Sequence, residues 1–394
     1  MGHLADIDRQ LRDRVVSGQI PGMVAMAARG NEIVYEGTFG KRGLAIDYPM
    51  TADTVFWIAS MTKAITATAA MQLVERGRLS LDEPIGKLLP EFASPKVLEG
   101  FDERGEPILR PAKSPVTLRR LLTHTAGFCY NTWNADMARY MQHTGLPSIL
   151  SGKLASLGAP LVSDPGTRWE YGIGIDVTGR AVEVASGQDL ETYLRKNLFE
   201  PLGMADSGFY LSENRRQRLA GMHARKPDGS LAAIPFELEQ KPEFAMGGGG
   251  LYSTAGDYIK FMQMILNKGR SNGHQLLKPE TIALMGQNHI GELTTTKMKS
   301  AAASKSNDVD FFPGITKKWG LSFLINTSQT REGRSAGSLA WAGLSNCYQW
   351  IDPVRDISGV ILMQLFPFAD QKCLDAFADL ERGIYAALDT EKAG

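Results

Sequence analysis

Residues 56–74 constrain the fold more than any other part of the chain, because they contain one charged residue, Lys63. A helix without any charge over residues 64–74 has to be buried on all sides. Lys63 lies directly before this apolar stretch, where burial of a charge costs free energy and so indicates a function for it. The sequence therefore predicts a central buried helix that begins beside a lysine with a specific role.

Ser60 lies three residues before Lys63, and residues at this spacing share one face of a helix. Burial lowers the pKa of a lysine, so the neutral amine can accept the proton of a serine hydroxyl. The start of a helix also favours negative charge near Ser60. A Ser-x-x-Lys pattern by itself arises by chance in many chains, and the alternative is a surface lysine beside a capping serine. The pattern is a nucleophile hypothesis that needs further support.

The composition excludes several classes of function. Lys plus Arg and Asp plus Glu are both 43, so the chain shows no charge signature of nucleic-acid or anionic-membrane binding. No apolar run approaches the ~18 residues of a membrane span. The charged first ten residues lack the apolar core of a secretion signal. We therefore expect a cytoplasmic protein that acts on a small molecule; its oligomeric state is not readable from the sequence.

Cysteine and histidine patterns give no metal signal. The three cysteines, Cys129, Cys347 and Cys373, are scattered and cannot all pair, which is typical of reduced thiols. The six histidines show no zinc-ligand spacing. We expect neither a metal ion nor a cofactor.

The order of elements predicts one sheet domain interrupted by helices. A helix over residues 4–17 and a hairpin around Gly30-Asn31 open the chain. Strand signals at 319–325, 340–350 and 357–365 and a helix over 369–388 close it, whereas a polar stretch at 294–307 predicts a mobile loop. We predict an α/β domain from residues 1–78 and 241–394, a mostly helical domain from 79–240, and an active site at their interface.

Two further stretches could complete a site around Ser60. Tyr171 lies in a glycine-bounded turn before a predicted helix, where a phenolate stabilised by an ammonium group could relay protons. The alternative is a half-buried tyrosine that caps the helix. Residues 339–344, Leu-Ala-Trp-Ala-Gly-Leu, read as a strand whose glycine allows a ligand to approach closely. The alternative is an ordinary strand with one glycine.

Taken together, these motifs resemble the serine β-lactamase and penicillin-binding-protein superfamily. The order Ser60-x-x-Lys63, Tyr171 and Trp341-x-Gly343 carries the resemblance, with the turn Leu-Leu-Thr-His-Thr-Ala-Gly at 121–127 and the Gly-Gly-Gly-Leu-Tyr-Ser-Thr stretch at 248–254. Within the superfamily the chain is most similar to family VIII carboxylesterases, which look like class C β-lactamases. The resemblance implies the serine β-lactamase/DD-peptidase-like fold: an antiparallel sheet flanked by helices, with a helical insertion domain.

The resemblance also implies a role for each matching residue. Ser60 would be the acylated nucleophile, Lys63 its general base and Tyr171 the proton relay. The backbone N–H groups of Ser60 and Leu344 would form the oxyanion hole. Tyr130 matches a second tyrosine near the serine in these esterases.

Two departures from the family pattern bear on the substrate. Ile173 stands where the lactamases have an asparagine that contacts a substrate amide, and Trp341 replaces the lysine of the Lys-Thr-Gly motif, with Gly343 retained. Both changes weaken recognition of β-lactams and D-alanyl peptides, and Trp341 supplies apolar surface for an acyl or alcohol group. They favour hydrolysis of short-chain carboxylic esters.

Three other functions remain open alternatives. They are an acyltransferase that uses an alcohol in place of water, a weak β-lactamase or D-alanyl peptidase, and a binding module without catalysis.

A competing serine motif occurs at residues 333–337, Gly-Arg-Ser-Ala-Gly, which fits the nucleophile elbow of α/β-hydrolases. That fold requires a histidine later in the chain, but none follows His289. We therefore assign Ser335 to a loop.

Overall fold

An antiparallel sheet formed by both ends of the chain is the centre of the computed structural model, which describes residues 2–393. Residues 1 and 394, the outer limits of the predicted sheet domain, lie outside the described part. The strands in chain order are β1 (Gly22–Arg29), β2 (Glu32–Gly43), β3 (Ile46–Pro49), β4 (Phe56–Trp57), β5 (Lys96–Phe101), β6 (Pro107–Pro111), β7 (His223–Arg225), β8 (Leu231–Ala233), β9 (Tyr252–Ser253), β10 (Arg270–Ser271), β11 (His274–Gln275), β12 (Lys317–Trp319), β13 (Leu324–Asn326), β14 (Leu339–Gly343), β15 (Cys347–Asp352), β16 (Ile357–Leu362) and β17 (Leu365–Phe366).

The helices surround this sheet on both faces. In chain order they are α1 (Gly2–Val16), α2 (Thr62–Glu75), α3 (Leu118–Leu122), α4 (Ala135–Thr144), α5 (Gly174–Ser186), α6 (Leu190–Leu194), α7 (Glu200–Leu202), α8 (Glu213–Gln217), α9 (Ala255–Leu266), α10 (Pro279–Met285) and α11 (Gln371–Ala393). Among residues 2–393, no helix combines the length and the apolar character needed to cross a membrane.

The main sheet has the order β12-β13-β14-β15-β16-β1-β2-β3, and its neighbouring strands are antiparallel. Side chains of β1 alternate between its two faces, as a strand requires. Val24 and Met26 join the apolar cluster of α2 and α9, whereas Met23 and Ala25 join that of α1 and α11. The predicted fold class and the hairpin around Gly30 are confirmed.

Two predicted strands are instead hairpins. Residues 340–350 divide into β14 and β15, and residues 319–325 divide between β12 and β13. The turn at 344–346 contains the polar residues Ser345 and Asn346, a turn signal that the strand interpretation overlooked. Asn346 takes the left-handed conformation there with φ +62°, which asparagine tolerates better than most residues. Leu344 therefore lies in a turn at the end of β14, not within a strand.

The middle of the chain contains α3 to α8 together with short strands. The stretch 94–115, which reads as an exposed excursion, contains the β5–β6 hairpin, and β5 contacts Leu161 through its own backbone. The strand β17 pairs with β7 and so connects the C-terminal part of the chain to its middle. The domain division at residues 78 and 240 stays a prediction.

The helix α2 lies in the core of the protein. Every residue from Thr62 to Leu73 is buried, as the uncharged sequence predicts. The chain reaches this helix through β4 and a short turn of 3-10 helix at Ala59–Met61, so Ser60 stands immediately before the buried helix.

Candidate active site

Ser60 and Lys63 meet at the start of α2. Lys63 Nζ lies 2.9 Å from Ser60 Oγ and donates to the carbonyl oxygen of Gly248 at 2.5 Å. The Lys63 side chain is completely buried. Ala59, directly before the serine, has φ +45°, a left-handed conformation that is unfavourable for a residue other than glycine. The chain thus holds the serine hydroxyl against a desolvated amine.

A buried carboxyl group, Asp176, completes the charge balance of this site. Asp176 is fully buried in the first turn of α5, and its Oδ1 accepts a hydrogen bond from the N–H of Gly248 at 2.8 Å. Burial lowers the pKa of Lys63 to about 7, and the carboxylate of Asp176 opposes that shift. Burial also raises the pKa of Asp176, opposed by Lys63. Burial therefore disfavours the charged form of both groups, and their mutual attraction opposes this effect.

Two tyrosines flank the amine of Lys63. The hydroxyl of Tyr130 accepts a hydrogen bond from Lys63 Nζ at 3.0 Å, and the ring of Tyr171 lies 4.9 Å from the same nitrogen. Burial raises the pKa of Tyr171, and hydrogen bonds with Ser60 and Trp341 oppose this. Burial also raises the pKa of Tyr130. The raised pKa values disfavour the expected phenolate, so both tyrosines are neutral groups beside the amine of Lys63. The roles of Lys63 as base and of Tyr171 as proton relay stay predictions.

Gly343 lies where the chain packs against itself. A Cβ atom at this position would lie 2.3 Å from the carbonyl oxygen of Ile58, so the close approach that requires glycine is made by backbone and not by a ligand. This contact brings the end of β14 beside the turn that carries Ser60. Leu344, the next residue, lines the same cavity as Ser60. Their role as the two oxyanion donors stays a prediction.

The structure places Trp341 and Ile173 behind the site. Trp341 is buried and donates its Nε1–H to the hydroxyl of Tyr171 at 3.0 Å, so it positions the tyrosine. Ile173 is buried in the apolar cluster that contains Leu121 and Phe128. Within the described part of the chain, neither residue is among those that line the cavity at Ser60.

His124 supports the turn that carries Tyr171. Its carbonyl oxygen accepts from the N–H of Glu170 at 2.7 Å, and its Nδ1 accepts from the N–H of Gly172 at 3.4 Å. Burial and the nearby Lys63 hold the pKa of this imidazole well below its usual value. His124 is therefore a neutral structural group.

The cavity at Ser60 is small, with a volume of about 50 Å³. Its walls are mostly apolar, and they include Trp57, Tyr130, Trp133, Ile149, Leu150, Met246 and Leu344. Lys305 also lines it, and its Nζ forms no ion pair or hydrogen bond with the residues that the structure describes. The cavity therefore combines an apolar interior with an unpaired positive charge.

Lys305 belongs to the loop at 294–307, which the sequence predicts to be mobile. Backbone hydrogen bonds tie this loop to the site: Ala301 donates to Thr132, and Phe368 donates to the carbonyl oxygen of Lys305, both at 2.8 Å. The indole of Trp133 adds a bond to Ser306 Oγ at 3.0 Å. These bonds hold Lys305 in place at the cavity.

Sequence reasoning missed Asp176 and Lys305. The signal for Asp176 was present, because it is a carboxylate between Ile175 and Val177 in an apolar helix. No comparable signal marks Lys305, which stands in a polar loop. Ser335 lies in a loop as predicted, where its N–H donates to Asp352. Across residues 2–393, no group of three or more potential ligand side chains is placed to hold a metal ion.

A family model described as Beta-lactamase matches residues 7–383. The chain belongs to the beta-lactamase family. It is 34% identical to monacolin J acid methylbutanoyltransferase of Aspergillus terreus, over 96% of this chain and 95% of the relative. It is 32% identical to lovastatin esterase of Penicillium rubens, over 95% and 96%. Unliganded simvastatin synthase (LovD) of Aspergillus terreus superposes with a TM-score of 0.86 at 32% identity, over 98% and 99%.

The comparisons support the general class of function but not its finer details. This beta-lactamase-family protein is a serine hydrolase or acyltransferase, because its relatives over nearly the full length are acyltransferases and an esterase. The predicted superfamily is confirmed. Membership of family VIII and the choice of water or alcohol as acceptor are not decided by these relatives.

Proposed function

We propose that this protein takes a short acyl group from an ester onto Ser60 and then transfers it to an alcohol, with water as a competing acceptor. One observation carries the proposal: the buried amine of Lys63, with its pKa lowered to about 7, stands 2.9 Å from Ser60 Oγ. A neutral amine at this distance can take the hydroxyl proton while the oxygen attacks an ester carbonyl.

The remaining groups have matching tasks in this scheme. The N–H groups of Ser60 and Leu344 receive the developing oxyanion. The proton passes from Lys63, through the tyrosine hydroxyls, to the departing alkoxide. In the second half-reaction Lys63 accepts the proton of the incoming alcohol or water, which attacks the acyl-Ser60 carbonyl. Ser60 Oγ then recovers a proton and leaves.

Two features support a short acyl chain and an alcohol acceptor. The apolar residues beside Ser60, among them Trp57 and Leu344, suit a short acyl chain, and the Aspergillus terreus relative is named for a methylbutanoyl group. Apolar walls favour an alcohol over water. Simple carboxylesterase activity is the second candidate, supported by the similarity to lovastatin esterase.

The partition of the acyl group between water and an added alcohol tests the proposed function. Purified protein is given p-nitrophenyl acetate, butyrate and longer esters, with and without hexanediol. We expect the short esters to react fastest and the acylated diol to replace free acid as diol concentration rises. Chromatography of both products measures the ratio. Formation of free acid alone at every diol concentration would establish the hydrolase alternative, and nitrocefin turnover comparable to ester turnover would support the lactamase alternative.

Lys305 indicates which kind of alcohol is the acceptor. Its unpaired amine lines the Ser60 cavity, whereas the family's lysine is replaced by Trp341. The Aspergillus terreus relative is named for an acid as its acceptor. We therefore infer that the acceptor alcohol also carries a carboxylate, which Lys305 binds.

Lys305→Gln tests this with a matched acceptor pair. We expect kcat/KM for ω-hydroxyhexanoate to fall about tenfold, as for loss of one charge-assisted hydrogen bond, while kcat/KM for hexanediol stays within about twofold. Lys305→Arg should retain the preference for the acid. Lys299→Gln, at an exposed lysine of the same loop, is the control and should change neither value. Equal losses with both acceptors would contradict a role in charge recognition.

A further inference from the structure

A second cavity, of about 820 Å³, lies between α11, the strands β14 and β15, and the segment 307–315. It shares no lining residue with the cavity at Ser60. Part of its wall is aromatic, whereas charged side chains such as Asp310, Arg331 and Asp375 line other parts. The aromatic residues are Phe311, Phe312, Trp341, Tyr348 and Phe377. This volume and an aromatic lining are typical of sites for small organic molecules.

A buried guanidinium forms part of the same wall. Arg334 donates from Nε and Nη2 to the two carboxylate oxygens of Glu381, each at 2.6 Å, and both side chains are buried. The Arg334 guanidinium also lies 4.9 Å from the ring of Phe312 and 5.2 Å from that of Phe377. Its third nitrogen, Nη1, has no hydrogen-bond partner among residues 2–393. Because Glu381 already balances the charge, the free N–H group suits a neutral oxygen acceptor better than a second anion.

A buried amide adds a second set of unused polar atoms. Gln349, on β15, lines the cavity and is 1% exposed. Neither its Nε2 nor its Oε1 has a hydrogen-bond partner in the described part of the chain. A buried amide without partners destabilises a fold, and an apolar side chain of similar size would avoid the cost. Because Gln349 and Arg334 line the same cavity, a molecule bound there could supply the missing partners of both side chains.

We propose that this cavity binds a neutral ring compound with a carbonyl or hydroxyl oxygen, at a site separate from the ester site at Ser60. The rings of the wall pack against the ligand, and Arg334 Nη1 and Gln349 bond its oxygen. Trp341 contacts this ligand on one side and donates to the hydroxyl of Tyr171. A bound molecule therefore touches the residue that positions the proton relay.

The fluorescent probe Prodan tests the proposal, because it is a neutral naphthyl ketone without a hydrolysable bond. We expect saturable binding of one Prodan per chain, with unchanged affinity in Ser60→Ala. Ala378→Phe fills the cavity from the partly exposed face of α11 and should weaken binding at least about tenfold. Ala387→Phe, on the same helix but not on the cavity wall, is the matched control and should bind as the unmodified protein does.

Gln349→Leu separates a ligand contact from a structural role. We expect this variant to bind Prodan about tenfold more weakly while its Tm stays equal or rises, since two unpartnered buried atoms are removed. A crystal soaked with Prodan should show the ketone oxygen near Arg334 and Gln349. The proposal is overturned by equal affinity in Ala378→Phe, by ordered water alone in the soaked cavity, or by tighter cavity-dependent binding of the anionic probe anilinonaphthalene sulfonate.

Discussion

Ser60→Ala is expected to abolish ester turnover, with a loss of about 1,000-fold or more in kcat/KM, because removal of a covalent nucleophile eliminates the acyl intermediate. Mass spectrometry should detect an acyl adduct on a peptide containing Ser60 after brief reaction of the unmodified protein with p-nitrophenyl butyrate. The variant should show no adduct.

Ser335→Ala is the matched control for this result. Ser335 fits a hydrolase motif, but it lies in the loop between β13 and β14. Its backbone N–H donates to Asp352, and its carbonyl oxygen accepts from the side chain of Asn326. We expect full activity in this variant. An inactive Ser335→Ala together with an active Ser60→Ala would overturn the assignment of the site.

The second large effect concerns the protonation of Lys63. Burial lowers the pKa of Lys63 to about 7, and only the neutral amine can accept the serine proton. Ester turnover should therefore rise with pH through about 7 as Lys63 loses its proton. Lys63→Met should lose about 1,000-fold or more at every pH. Lys63→Arg, which keeps the charge but cannot lose it, should be equally inactive; substantial activity there would show that Lys63 acts as a cation.

Asp176→Asn tests the direction in which a neighbouring carboxylate shifts the pKa of Lys63. The Asp176 carboxylate raises the pKa of Lys63 against the effect of burial. Removing that charge should lower the pKa of Lys63 further, so the midpoint of the rising pH profile should move to lower pH. The measurement is kcat/KM for p-nitrophenyl acetate across the pH range. A midpoint that moves upward, or turnover that falls as pH rises through neutrality, contradicts the role of Lys63 as base.

Local patterns in the sequence were sufficient for several elements. The uncharged stretch at 64–74 predicted a buried helix, and Gly30-Asn31 predicted a hairpin, because both depend on neighbouring residues alone. The strand prediction at 340–350 was wrong, because Ser345 and Asn346 form a turn between β14 and β15 although both side chains are buried. That error placed Leu344 within a strand, whereas it stands at the turn beside Ser60.

Some residues of the site could be predicted from their spacing in the sequence, whereas others are brought together only by the tertiary structure. The spacing of Ser60 and Lys63 along the chain determined that their side chains could meet, because helix geometry places residues three apart on one face. The tertiary structure alone decided that Asp176 shares the interior with Lys63 and that Lys305 lines the cavity. It also decided that Trp341 donates to the hydroxyl of Tyr171, away from the residues that line the cavity at Ser60. The pKa values depend on burial, and the composition of the cavity wall depends on which remote segments lie close together. Neither burial nor these distances can be read from neighbouring residues in the sequence.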